Sequence, residues 1–146
     1  MQLSQTVAPA SREWMQQLTE SLLREFGERL IFTGLQGSRA RGEEDSLSDI
    51  DPVVVLDCLS AEDLSRIRLV YSRMPEQGEL CGFVSGRQEL ACWDSADRLV
   101  LLQHSSFLWA AGGYFSGSVR GGCDTGGFVR RVWSLSHDLS LFAVWM

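Results

Sequence analysis

The apolar positions of the chain fall into a few phased stretches separated by polar or glycine-rich breaks. From Ser11 onward, Trp14, Met15, Leu18, Leu22 and Phe26 recur at three- and four-residue steps, with Glu and Arg between them, up to Gly27. That spacing predicts an amphipathic helix whose apolar stripe belongs to the core. Arg24 and Arg29 are expected on a solvated face, and the polar residues before the helix read as a loose arm. Leu30–Leu35 is an apolar run of strand length. A second, β-branched run spans Ile50 to Asp57. Pro52 is awkward within it, because proline cannot donate to a ladder and is tolerated at an edge or first position. Ser60, with Glu62 and Asp63 behind it, has the makeup of a helix start. Leu64, Ile67, Tyr71 and Met74 then continue one face until Pro75, as in a crossover helix between strands.

The pattern weakens further along. Residues 80–86 can hold a short strand between glycines, and Arg87–Trp93 a helical turn or two. Arg98–Gln103 reads as a third strand, apolar enough to be buried on both faces. Paired glycines recur across 111–127 without apolar periodicity, which predicts a loop or linker; the lysine-bearing P-loop pattern is absent. Over 128–146, Val132, Leu135, Leu139, Phe142 and Ala143 share a helical stripe. These breaks divide the chain into 1–110, the linker 111–127 and a C-terminal helix 128–146.

Candidate chemistry lies between the first two strands. The run Gly37-Ser38-Arg39-Ala40-Arg41-Gly42 is followed by a polar loop and then Asp49-Ile50-Asp51. Residues two apart on an extended strand share a face, so Asp49 and Asp51 present adjacent carboxylates. Such a pair repels itself unless a cation sits between, and a hard divalent ion bound through oxygen is the usual answer. Gly37 lets a backbone approach a ligand closely. Its N–H, the N–H of Ser38 and the Ser38 hydroxyl can donate to phosphate oxygens at a strand-to-helix turn. A phosphate cradle beside a metal-binding carboxylate pair is equipment for phosphoryl or nucleotidyl transfer.

This stretch resembles the signature of the nucleotidyltransferase superfamily, in its minimal and antibiotic-type members: Gly-Ser-x-Ala-Arg-Gly, a polar loop, then Ser-Asp-x-Asp before an apolar strand. Ser48 matches the serine ahead of the first aspartate. The clear likeness covers residues 30–57, with a weaker one to about residue 110. The resemblance implies an α/β fold, a small mixed sheet of roughly three to five strands backed by helices on one face. It also implies a nucleoside triphosphate, ATP by preference, with its phosphates at Gly37 and Ser38 and Mg²⁺ on Asp49 and Asp51. Arg39 and Arg41 would neutralise the leaving group, unless one of them pairs with Glu43 or Asp45. The expected reaction moves AMP to a hydroxyl of a small molecule or a protein.

Pro52 departs from the family pattern, where an apolar non-proline residue is usual. A second departure concerns a third carboxylate, which active members commonly take from a later strand. The run Arg98–Gln103 contains no acid, and His104 stands where a base would be sought. The rival reading is therefore a catalytically degenerate module that binds nucleotide or serves as an antitoxin-like protein partner.

Length and charge narrow the partners. The chain has 146 residues, one domain's worth, with 45% hydrophobic and 22% charged residues. A net charge of -6 and a pI near 4.8 argue against a nucleic-acid polymer, which usually meets a basic face. Cys58, Cys81, Cys92 and Cys123 lie far apart and read as reduced, mostly buried thiols. No signal-peptide pattern or membrane-length apolar run is found, so the expectation is a cytoplasmic protein with no membrane partner. The apolar stripe of 128–146 predicts either the start of a helical acceptor domain or a homodimer surface.

Overall fold

The computed structural model describes residues 7–45, 48–75, 82–93, 106–110, 113–118 and 143–145. Helix α1 (Pro9–Phe26) opens with proline in its first turn, where the missing N–H costs nothing. A 3-10 turn, Gly27–Arg29, leads into β1 (Leu30–Gln36) and the five-residue helix α2 (Gly37–Arg41). Then follow β2 (Asp51–Leu56), α3 (Ala61–Tyr71), β3 (Phe83–Gly86) and α4 (Arg87–Cys92). Strands β4 (Ser106–Ala110), β5 (Gly113–Ser118) and β6 (Ala143–Trp145) complete the described elements.

The six strands form one mixed sheet in the order β5-β4-β1-β2-β3-β6, larger than the three to five expected. Only β2 and β3 run parallel, joined by α3 as the predicted crossover helix. Every other recorded pair is antiparallel. Tertiary pairing overrode local composition in two places. Within the glycine-dense 111–127, residues 113–118 are strand β5, where Tyr114 and Phe115 favour a pleated edge and the neighbouring β4 supplies the ladder. Within 128–146, Ala143–Trp145 is a strand paired with β3, not helix. The expected strand Arg98–Gln103 lies outside the described residues, as does all of 119–142; the strand beside β1 is Ser106–Ala110.

Alternation along β2 sorts the core. Ile50, Val54 and Leu56 are buried with Trp14, Met15, Leu18 and Leu22 of α1 and with Ile67 and Val70 of α3. Val53 and Val55 point the other way, packing with Phe83 and the partly buried Ile31, Phe32, Leu90 and Trp93. Helices α1 and α3 thus cover one face, whereas Leu90 of α4 meets the other, so the helices are not confined to a single face. Thr33 turns toward α1, its hydroxyl 2.7 Å from that of Thr19. Trp14 donates to the carbonyl of Pro75 (2.8 Å), tying α1 to the end of α3. Pro52 is buried in a central strand, but the ladder to β3 begins only at Val53, so the ring sits just before it. Gly82 lets the chain pass: a Cβ there would lie 2.9 Å from the Pro52 carbonyl. Cys58 and Cys92 are exposed rather than buried.

At the end of β2 far from the Gly-Ser turn, one guanidinium joins three elements. Arg29 was expected in solvent, yet it donates to both oxygens of the buried Asp63 (2.9 and 2.8 Å), to Asp57 (3.1 Å) and to the Cys58 carbonyl (3.1 Å). Asp63 also closes a reciprocal cap with Ser60 at the start of α3. Arg66, stacked over Phe26 at 4.8 Å and paired with Glu25 at 2.7 Å, completes the cluster. Hydrogen bonds from Arg29, then those of Ser60, hold the Asp63 carboxyl down to about 2. A carboxyl depressed by folding adds stability above its unfolded pKa of about 3.9 and loses it as the pH falls through the folded value. Asp63→Asn should therefore cost about 2 kcal/mol at neutral pH. Its urea midpoint should also change less than wild type between pH 4 and 2; parallel curves would refute this assignment.

Candidate active site

The turn between β1 and β2 is built from a positive-φ glycine and a very short helix. Gly37 has φ +74° and follows Gln36, whose extended backbone caps α2 without any side-chain hydrogen bond. Gly42, at φ +72°, ends the helix, and its N–H reaches back to the Arg39 carbonyl (3.3 Å). The polar loop then folds on itself. The N–H of Glu43 donates to the Ser38 carbonyl (3.0 Å), and the Ser48 hydroxyl bonds both the Asp45 side chain (3.0 Å) and, as acceptor, its N–H (2.9 Å).

Asp49 is exposed, Ile50 is buried under α1, and Asp51 is half-buried at the first position of β2. The parity that puts Ile50 and Val54 against α1 puts Asp51 and Val53 on the opposite face, and Asp49, just ahead of the strand, is near enough for its charge to act on Asp51. Burial, then the charge of Asp49, raises the Asp51 carboxyl, and the Arg39 cation partly offsets this. Among the described residues, neither carboxylate accepts a hydrogen bond or forms an ion pair. A Cβ at Gly37 would overlap the Asp51 carboxylate, so the glycine is what lets the turn and the acid touch.

The register adds a residue that sequence reasoning missed. Gln36 pairs directly with Asp51 across the β1–β2 ladder. Leu35 and Thr33 face α1, so the Gln36 side chain shares the face of Asp51, at cross-strand neighbour distance. Only the strand register could reveal this, because the two residues are far apart in sequence.

The arginines separate. Arg39 is largely buried and donates to main-chain carbonyls of Ser48 (2.7 and 3.1 Å) and Asp49 (3.0 Å) and to the Ser11 hydroxyl (3.1 Å). Arg41 is partly exposed and bonds Glu43 at 2.5 Å, one of the pairings the sequence allowed. His104 lies outside the described residues; Ser106, two positions on, pairs with Leu35. Asp51 is the only acidic residue on the six described strands. No group of three or more His, Cys, Asp or Glu side chains able to hold a metal occurs among the described residues. The donor set of Asp49 and Asp51, all oxygen and mutually repelling, nevertheless suits a hard divalent cation.

Two outcomes follow from this geometry. An aspartate raised by folding makes its ionised form a cost to the folded state. Stability should therefore fall as the pH rises through the folded value, above the ordinary carboxylate range near 4. Asp51→Asn should melt at or above the wild-type temperature at pH 7 without added metal, and a lower melting temperature would contradict it. Gly37→Ala should cost about 1–2 kcal/mol from positive φ alone, with a further loss from the carboxylate overlap. That further loss should shrink in an Asp51→Ala background, as a double-mutant cycle by denaturant melting would read.

No protein-family model matches the chain, and no curated protein does. Among solved structures, it is similar to the spectinomycin adenyltransferase AAD(9) of Enterococcus faecialis, determined with ATP and spectinomycin, at 14% identity and a TM-score of 0.50. The alignment covers 67% of this chain and 55% of that one, so the chain spans little more than half of that enzyme's length. The likeness is one of fold, and the architecture here is nucleotidyltransferase-like mixed α/β.

Proposed function

We propose that the chain is a Mg²⁺-dependent nucleotidyltransferase that moves AMP from ATP to a hydroxyl acceptor on a small molecule or a protein. The observation that carries this reading is the contact of the Gly37 turn with Asp51 at one sheet end, with the like-charged Asp49 near enough to act on that carboxyl. The solved adenyltransferase of similar fold, which was crystallised with ATP and an antibiotic, supports it.

Asp49 and Asp51 are the residues that would hold the divalent ion, whose positive charge would relieve their repulsion and polarise the phosphates. The N–H groups of Gly37 and Ser38 and the Ser38 hydroxyl orient the phosphate chain. Arg41 meets charge on the leaving group. Its pairing with the exposed Glu43 is a surface ion pair, worth about 0–1 kcal/mol, so exchange for a phosphate oxygen costs little. The acceptor oxygen bonds to the α-phosphorus, the bond from that phosphorus to the bridging oxygen breaks, and pyrophosphate leaves with the electron pair. The hydroxyl proton passes to a base, a role assigned on sequence grounds to His104.

A second reading, a non-catalytic module that senses nucleotide or binds a protein partner, is favoured by one observation: no described strand other than β2 carries an acid. Calorimetric titration with ATP and a non-hydrolysable analogue tests the metal–nucleotide site that the enzyme reading requires. Binding should require Mg²⁺, disappear in Asp49→Asn/Asp51→Asn, and weaken as the pH is lowered into the raised range of Asp51. Absence of binding with and without Mg²⁺ would sink the enzyme reading and leave only a module that binds a protein partner.

A further inference from the structure

We infer that Arg39 is a positioning residue that sets Asp49 relative to Asp51, anchored in turn by Ser11 of α1; this rests on the metal-site reading above. The paired part of β2 starts at Asp51, with an isolated bridge at Ile50, so Asp49 lies outside the recorded β1–β2 ladder. Main-chain polar groups without ladder partners need another restraint, and here the guanidinium supplies it. Nε of Arg39 donates to the carbonyls of both Ser48 and Asp49 (3.1 and 3.0 Å), and Nη2 donates again to Ser48 (2.7 Å). These two carbonyls lie on either side of the Asp49 Cα.

The far side of the guanidinium is fixed as well. Nη1 donates to the Ser11 hydroxyl at 3.1 Å, and Ser11, buried in the first turns of α1, donates on to Glu44 at 3.3 Å. Glu44 stands 4.0 Å from Nη1, so the loop is gripped before and after its polar middle. A planar fork can span two carbonyls and a hydroxyl at once, which a lysine ammonium on a flexible stem cannot reproduce. The arginine so held is committed to backbone carbonyls rather than to phosphate. Its function is to fix where one of two carboxylates begins, and a small hard cation is demanding about that separation.

Electrostatics and positioning predict opposite signs, which makes the test sharp. The Arg39 cation repels a second cation at the acid pair, so deleting its charge should by itself tighten cation binding. The positioning role predicts looser binding. Mn²⁺ affinity of the full chain, read by electron paramagnetic resonance, should fall at least tenfold in Arg39→Ala and fall comparably in Arg39→Lys. In Ser11→Ala the loss should be smaller, about threefold. Arg66→Ala, which breaks the Glu25 pair at the opposite end of the sheet, should lower the melting temperature without moving Mn²⁺ affinity. Wild-type or tighter affinity in Arg39→Ala overturns the inference while the metal site stands. If that variant does not fold, wild-type affinity in folded Arg39→Lys overturns it equally. No Mn²⁺ binding by wild type overturns the site reading itself, and the inference with it.

Discussion

The antiparallel ladder between β1 and β2 is the constraint on which the rest of the site depends. Its last recorded pair, Gln36 with Asp51, brings the end of one strand beside the start of the next. The chain must then leave β1 in a turn tight enough to touch Asp51. Gly37 permits this because it takes φ +74° and presents no Cβ to the carboxylate. Slipping that register by one residue would carry Asp51 to the α1 face, where Ile50 and Val54 are buried, and would put a carboxylate into the core.

The two ends of β2 divide the work. At the end near Arg29, opposite charges are brought together: Asp63 is buried, capped and doubly bonded, and its carboxyl is held near 2. At the Gly37 end, like charges are brought together, and the Asp51 carboxyl is raised. The first arrangement stabilises the fold. The second costs stability, and such local conflict is tolerated where a site needs it and the surrounding structure supplies the difference. Arg39 is the link between the two regimes, a cation used to hold main chain beside the acids without joining them in an ion pair.

Much of the fold was legible because burial imposes short periods. The helix through Trp14–Phe26, the strands near 30–35 and 50–57 and the capped helix after Ser60 all emerged within a few residues of their positions. The misses share a cause. Strands β5 and β6 are short segments whose ladders are completed by other strands, β5 by β4 just before it and β6 by β3 far back in the chain, so neither glycine count nor helical spacing within 111–146 carried the decisive term. Arg29 was misread for a related reason: its partners Asp57, Cys58 and Asp63 become neighbours only when β2 closes against β1.

For the candidate site, the sequence by itself determined the residue types, the order of turn and acid pair, and the two-residue spacing of Asp49 and Asp51. These depend on local order alone, without reference to the rest of the chain. The tertiary structure decided which face Asp51 takes, that Gln36 stands beside Asp51, that the Gly37 backbone touches the carboxylate, and that Arg39 grips the loop while Arg41 meets Glu43. Those relations hang on strand register and on where α1 lies, and both are settled by burial of the whole core rather than by any local run of residues.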